Sequence, residues 1–143
     1  MASKLELVRK RGSMRDRLIV ALDVDSVDEA KRFVQLLAGE VGMFKIGKQL
    51  FTHAGPQAVR LIQELGGEIF LDLKFHDIPN TVAKAAIEAT RLGVKMFNVH
   101  ASGSLEMMRT TVKEVRRVCR QEHVQIARIF RVRRHLRHFI LLA

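Results

Sequence analysis

Residues 68–93 read Glu68-Ile-Phe-Leu-Asp-Leu-Lys-Phe-His-Asp-Ile-Pro-Asn-Thr-Val-Ala-Lys-Ala-Ala-Ile-Glu-Ala-Thr-Arg-Leu-Gly93. The opening run, Glu68 to Lys74, is largely apolar and has the length of a strand. Pro79 suits the first turn of a helix, where its missing N–H and fixed φ cost nothing. Val82, Ala86, Ala89 and Leu92 then recur at helical spacing, and Gly93 closes the element. One strand followed by one helix is a β-α unit, and the same order recurs on both sides of it.

Upstream, Leu18-Ile-Val-Ala-Leu-Asp23 is a β-branched-rich apolar run, as expected of a strand buried on both faces. Ser26-Val-Asp-Glu29 reads as a capping box that opens a helix carrying Ala30, Phe33, Val34 and Leu37, with Gly39 and Gly42 at its end. Met43-Phe-Lys-Ile-Gly47 is a second strand, and Pro56 starts a helix with Val59, Ile62 and Leu65 on one face, stopped by Gly66-Gly67. Downstream, Val94-Lys-Met-Phe-Asn-Val-His100 is a fourth strand, and Ser104 caps a helix whose apolar face is Leu105, Met108, Val112 and Val115. The strands begin near residues 18, 43, 68 and 94. Strict alternation predicts an α/β fold with a parallel sheet and right-handed crossovers. The period suits a (β/α)8 TIM barrel, which takes about 250 residues. Four units amount to about half of one.

The 143 residues and 48% apolar content fit a single domain with a core. No apolar run approaches the ~18 residues of a membrane span. Met1 to Arg17 lacks an apolar h-region, so no secretory signal is expected. A lone cysteine, Cys119, excludes an intramolecular disulfide and cysteine-cluster zinc sites, and a cytoplasmic location is the simplest expectation. The net charge of +10 suggests nucleic acid until its distribution is examined. Residues 1–17 carry a net +4 and residues 123–143 a net +5, while residues 18–122 carry only +1. A nearly neutral body with two basic ends is not a basic domain, so neither a nucleic-acid nor a membrane partner is expected.

Chemistry in parallel α/β folds sits at the carboxyl ends of the strands. Those ends hold Asp23, Lys45, Asp72 with Lys74, and His100, and Asp77 lies in the loop after the third strand. Charged groups in such apolar runs are costly to bury unless they pair. Asp72 and Lys74, two apart in a strand, are expected on one face, with Lys45 approaching from the neighbouring strand. An alternating lysine–aspartate array in an apolar mouth suits proton delivery to a developing carbanion. No Gly-x-Gly-x-x-Gly or P-loop sequence is present, and no cofactor is expected. His76 and His100 are read as structural hydrogen-bonding residues.

Asp72-Leu-Lys74-Phe-His-Asp77, followed by Ile78-Pro-Asn-Thr81, resembles the active-site signature of the orotidine 5′-phosphate decarboxylase family. Ala21-Leu-Asp23, Phe44-Lys45-Ile-Gly47 and Asn98-Val-His100-Ala extend the resemblance over roughly residues 17–122. It implies a TIM barrel, usually a homodimer, that releases CO2 from orotidine 5′-phosphate to give uridine 5′-phosphate without metal or cofactor. By position, Lys74 would donate the proton to C6 of the pyrimidine and Asp72 would sit against the substrate carboxylate. Lys45 would hold the array and contact ribose, and Asp23 would bind a ribose hydroxyl. Asp77 and Thr81 would reach the partner subunit's site, and Ile78 in the same run is expected to contact substrate.

The family pattern needs four further β-α units and a phosphate grip after the seventh and eighth strands. The segment from His123 to Ala143 has no Gly, Pro, Asp or Glu and lacks the punctuation of the earlier units. It is open to three readings: an out-of-frame end to a longer gene, a basic amphipathic helix for a membrane or nucleic acid, or the end of a half barrel that assembles with another chain. The expected organisation is a lead-in at 1–17, a half barrel at 18–122 and a basic tail at 123–143, with activity impaired by truncation. Two alternatives stand beside the decarboxylase. A metal-dependent sugar-phosphate lyase of the same superfamily would need a carboxylate on the second strand, where Lys45 stands. A non-enzymatic basic binding module would rest on the two charged ends.

Overall fold

The computed structural model describes residues 14–132. Residues 1–13 of the lead-in and 133–143 of the tail, with the readings placed on them, lie outside the described residues. Five strands form one parallel sheet in the order β1 (Ile19–Ala21), β2 (Met43–Gly47), β3 (Ile69–Phe75), β4 (Met96–His100) and β5 (Arg128–Val132). Between them run α1 (Val27–Leu37), α2 (Lys48–Ala54), α3 (Pro56–Glu64), α4 (Pro79–Arg91) and α5 (Leu105–Glu122). Spatial order equals chain order, so every crossover steps one strand in the same direction. With right-handed connections this winds all the helices onto one face. That is the winding of a TIM barrel, whereas a doubly wound sheet reverses direction part-way.

The two sheet faces therefore differ. Leu22, Phe44, Ile46, Ile69, Leu71, Phe97 and Val99 pack with helix residues such as Val34, Val59, Val82 and Val115 in the main core. The opposite face holds a smaller cluster of Met43, Phe70 and Met96, with Ile19 and Phe130 against it. Side chains two apart in a strand share a face. Lys45 thus stands on the face of Met43, Asp72 on that of Phe70, and Asn98 on that of Met96. The polar positions lie on the helix-free face, one side-chain step nearer the carboxyl ends.

Local signals hold most boundaries. The Ser26 hydroxyl accepts the Glu29 N–H at 3.2 Å to cap α1, and Ser104 accepts the Met107 N–H at 3.2 Å to cap α5. Gly66, at φ +83°, ends α3, and a Cβ on Gly67 would stand 2.7 Å from Ile62 and 2.9 Å from Phe44.

Three sequence expectations need amendment. The stretch after β2 holds a helix of its own, α2, which ends at Gly55 before Pro56 starts α3. A fifth strand, β5, stands within the segment read as an atypical tail and pairs along all of β4. Among the described residues the edges of the sheet are therefore β1 and β5. On α5 the buried face is Met107, Thr111, Val115, Val118 and Cys119 rather than the stripe from Leu105. Leu105 is 56% exposed. Met108 and Val112 instead line an open groove of about 540 Å³ with Arg109, Lys113, Arg116 and Arg120. The helix carries two apolar stripes: one is buried in the core, and the other is half-buried, with Met108 packed against the core's margin.

Candidate active site

Asp72 organises the carboxyl end of the sheet. Its side chain, 4% exposed, is deeper than any other charged group in the cluster. Oδ1 accepts Lys74 Nζ at 2.6 Å and Asn98 Nδ2 at 2.6 Å, while Oδ2 faces Lys45 Nζ at 3.4 Å. Lys45 also lies 3.4 Å from Asp23 Oδ1. The four charges alternate in sign, from Asp23 through Lys45 and Asp72 to Lys74. Asp23 and Lys74 at the ends are 67% and 38% exposed, whereas Lys45 is 13% exposed. The array is thus anchored inside and open at both ends. Burial pushes the Asp72 carboxyl up, but hydrogen bonds from Lys74 and Asn98 and the charges of Lys74 and Lys45 outweigh it and hold the group below its ordinary value of 3.8.

The pairing of Asp72 with Lys74 does not follow from strand alternation alone. Lys74 has φ +54°, in the left-handed region, and the β3–β4 register shifts between Leu71 and Phe75. The strand bulges there, and a bulge re-aims a side chain. The Lys74 N–H leaves the ladder and donates to Asn98 Oδ1 at 2.7 Å. Asn98, fully buried on β4, thus bonds the carboxylate and the backbone of the lysine at once. The sequence reading missed it as a site residue. The signal was an amide side chain inside the apolar run Met96 to His100.

Asp23, Lys45, Asp72 and Lys74 are brought together, and Asp77, Ile78 and Thr81 are not. Asp77 and Ile78 lie exposed in the loop after β3, Thr81 is exposed in the first turn of α4, and the Asp77 carboxylate accepts the N–H of Ile78 at 2.6 Å. His76 and His100 stack with ring centres 5.0 Å apart, and His100 Nδ1 accepts the Ser102 N–H at 3.3 Å. Among the described residues, no group of three or more His, Cys, Asp or Glu side chains is placed to hold a metal ion. None of the described helices is long and apolar enough to cross a membrane.

Residues 16–129 match the family model described as orotidine 5′-phosphate decarboxylase / HUMPS. The chain belongs to that family. The orotidine 5′-phosphate decarboxylase of Syntrophotalea carbinolica is 64% identical over 102 residues, which cover 71% of this chain and 42% of that protein. An uncharacterized conserved protein from Geobacillus kaustophilus superposes with a TM-score of 0.75 at 36% identity, covering 85% of this chain and 56% of that one. The orotidine 5′-phosphate decarboxylase of Lactobacillus acidophilus superposes with a TM-score of 0.70 at 31% identity, covering 80% and 51%. The chain spans less than half the length of the curated relatives it matches. Within the decarboxylase / HUMPS family, the match runs into β5 and takes in the whole charged array.

Proposed function

We propose that the array from Asp23 to Lys74 is the charge-bearing half of an orotidine 5′-phosphate decarboxylase site. It would form uridine 5′-phosphate and CO2 for pyrimidine synthesis, in the cytoplasm, without metal or cofactor. The observation that carries this reading is the buried Asp72 carboxylate held between two ammonium groups, with Lys74 Nζ 2.6 Å away at the open end. Cleavage of the bond between C6 and the carboxylate leaves its electron pair on C6. Lys74 donates a proton there, CO2 departs, and solvent reprotonates the amine. An ammonium already fixed where negative charge develops stabilises it without reorganisation. Asp72 pairs with Lys74 and stands against the substrate carboxylate, while Lys45 and Asp23 take ribose.

In the same reading Asp77 and Thr81 are exposed because they serve a second subunit of a homodimer, and Ile78 contacts substrate. Residues 18–132 form the barrel portion. The metal-dependent alternative is disfavoured by the donor set, because a divalent cation at Asp72 would face two ammonium groups.

The test joins this chain to the C-terminal portion of the Syntrophotalea carbinolica relative that it does not match. The fusion is expected to release CO2 from carboxyl-labelled orotidine 5′-phosphate, equally well with a chelator present. The unfused chain should do so slowly, since it lacks the remainder of the relatives' length. A folded fusion that is inert toward this substrate, or that stops when chelated, contradicts the proposal.

A further inference from the structure

Asn98 has no exposure to solvent, yet it stands in the middle of β4. A buried amide needs partners for both ends. Its Nδ2 finds the Asp72 carboxylate at 2.6 Å and its Oδ1 finds the Lys74 N–H at 2.7 Å. These are the carboxylate and the backbone of the very pair that forms the shortest link of the array. They lie on β3, where Lys74 takes φ +54° and the ladder with β4 slips. A lysine gains nothing from that backbone conformation by itself. The bulge removes the Lys74 N–H from the ladder, and without Asn98 that part-buried donor would lose its acceptor.

We propose that Asn98 is a positioning residue that acts as a clamp between β4 and the bulge of β3, fixing the Lys74 backbone with its oxygen and the Asp72 carboxylate with its nitrogen. This rests on the decarboxylase reading only for its consequence in turnover. The clamp itself is a property of the apo chain. Asp72 is faced by Lys74 from its own strand, by Lys45 from β2 and by Asn98 from β4, with Asp23 beyond Lys45. Removing the amide takes away one of the donors that keep the carboxylate ionised, and also the acceptor that holds the bulge.

The experiment is NMR on the full chain, following the Asp72 carboxyl carbon through an acid titration and the exchange of the Lys74 amide. In Asn98→Ala the Asp72 midpoint should rise, and the Lys74 amide should exchange about tenfold faster while its β3 neighbours stay protected. Asn98→Asp keeps the acceptor and loses the donor, so the Lys74 amide should remain protected while the carboxyl titration moves up. In the fusion, Asn98→Ala should lower kcat and leave KM near its original value.

An unmoved Asp72 midpoint in Asn98→Ala overturns the proposal. So does exchange that rises uniformly along β3 and β4, which is what loss of packing alone would give. If Asn98→Ala does not fold, Asn98→Asp decides, and an unprotected Lys74 amide there overturns it. The titration and exchange need no substrate, so they stand apart from any failure of the decarboxylase reading.

Discussion

A carboxylate as deep as Asp72 keeps its charge only while two ammonium groups and an amide surround it. Its folded value lies below the ordinary 3.8, so the folded chain binds fewer protons there than the unfolded chain. The resulting stability is present in full above the unfolded value and is lost as pH falls through the folded one. Asp72→Asn should therefore cost about 3 kcal/mol near neutral pH, because Lys45 and Lys74 are left without their shared counter-charge. Urea unfolding followed from neutral pH to well below the ordinary 3.8 should bring the wild-type and variant curves progressively together. Parallel curves would mean that Asp72 does not carry the charge assigned to it. Asp72, Lys74 and Lys45 were legible in the sequence because a charged residue inside an apolar run stands out. Asn98 was less so: its partners lie 24 and 26 residues away, and only the register of β3 against β4 brings them together.

At the level of elements, the β3 bulge is where local preference and function pull apart. A left-handed residue other than glycine costs about 1–2 kcal/mol, and Lys74 bears that cost within a strand otherwise built of well-suited residues. Lys74→Gly and Lys74→Ala both remove the ammonium, but only glycine relieves the backbone. The glycine variant should be more stable than the alanine variant by about 1 kcal/mol in urea unfolding. Equal stabilities would show that the backbone there is unstrained. No residue pattern marks this bulge, since nothing between Leu71 and Phe75 is a glycine. The elements that the sequence hid share a cause. α2 opens with Lys48-Gln49 and buries only Leu50, and β5 is interrupted by exposed Arg128 and Arg131. Both are held by neighbours more than by their own apolar pattern, whereas β2, β3 and α4 announce themselves through continuous runs, Pro79 and Gly93. The error on α5 is of another kind, for two apolar stripes lie side by side and spacing alone cannot say which meets the sheet.

For the whole molecule, a sheet wound in one direction has two edges among the described residues, β1 and β5, and a helix-free face that carries the charged array. Two arginines blunt the β5 edge, as charges do on edges that must not pair at random. The second stripe of α5, with its groove of about 540 Å³, is likewise open. In the fusion with the relative's C-terminal portion, β5 acquires a second neighbour, and its amides should exchange at least about tenfold more slowly than in the unfused chain. Unchanged exchange would mean that the sheet does not continue past β5. The central claim is that Lys74, held by Asp72, delivers the proton that completes decarboxylation. Its most direct test is CO2 release from labelled orotidine 5′-phosphate by the fusion, with Lys74 intact and as Lys74→Ala. A loss of about 10³-fold or more in kcat for a folded Lys74→Ala fusion is the expected result. Undiminished turnover without the lysine would contradict the account.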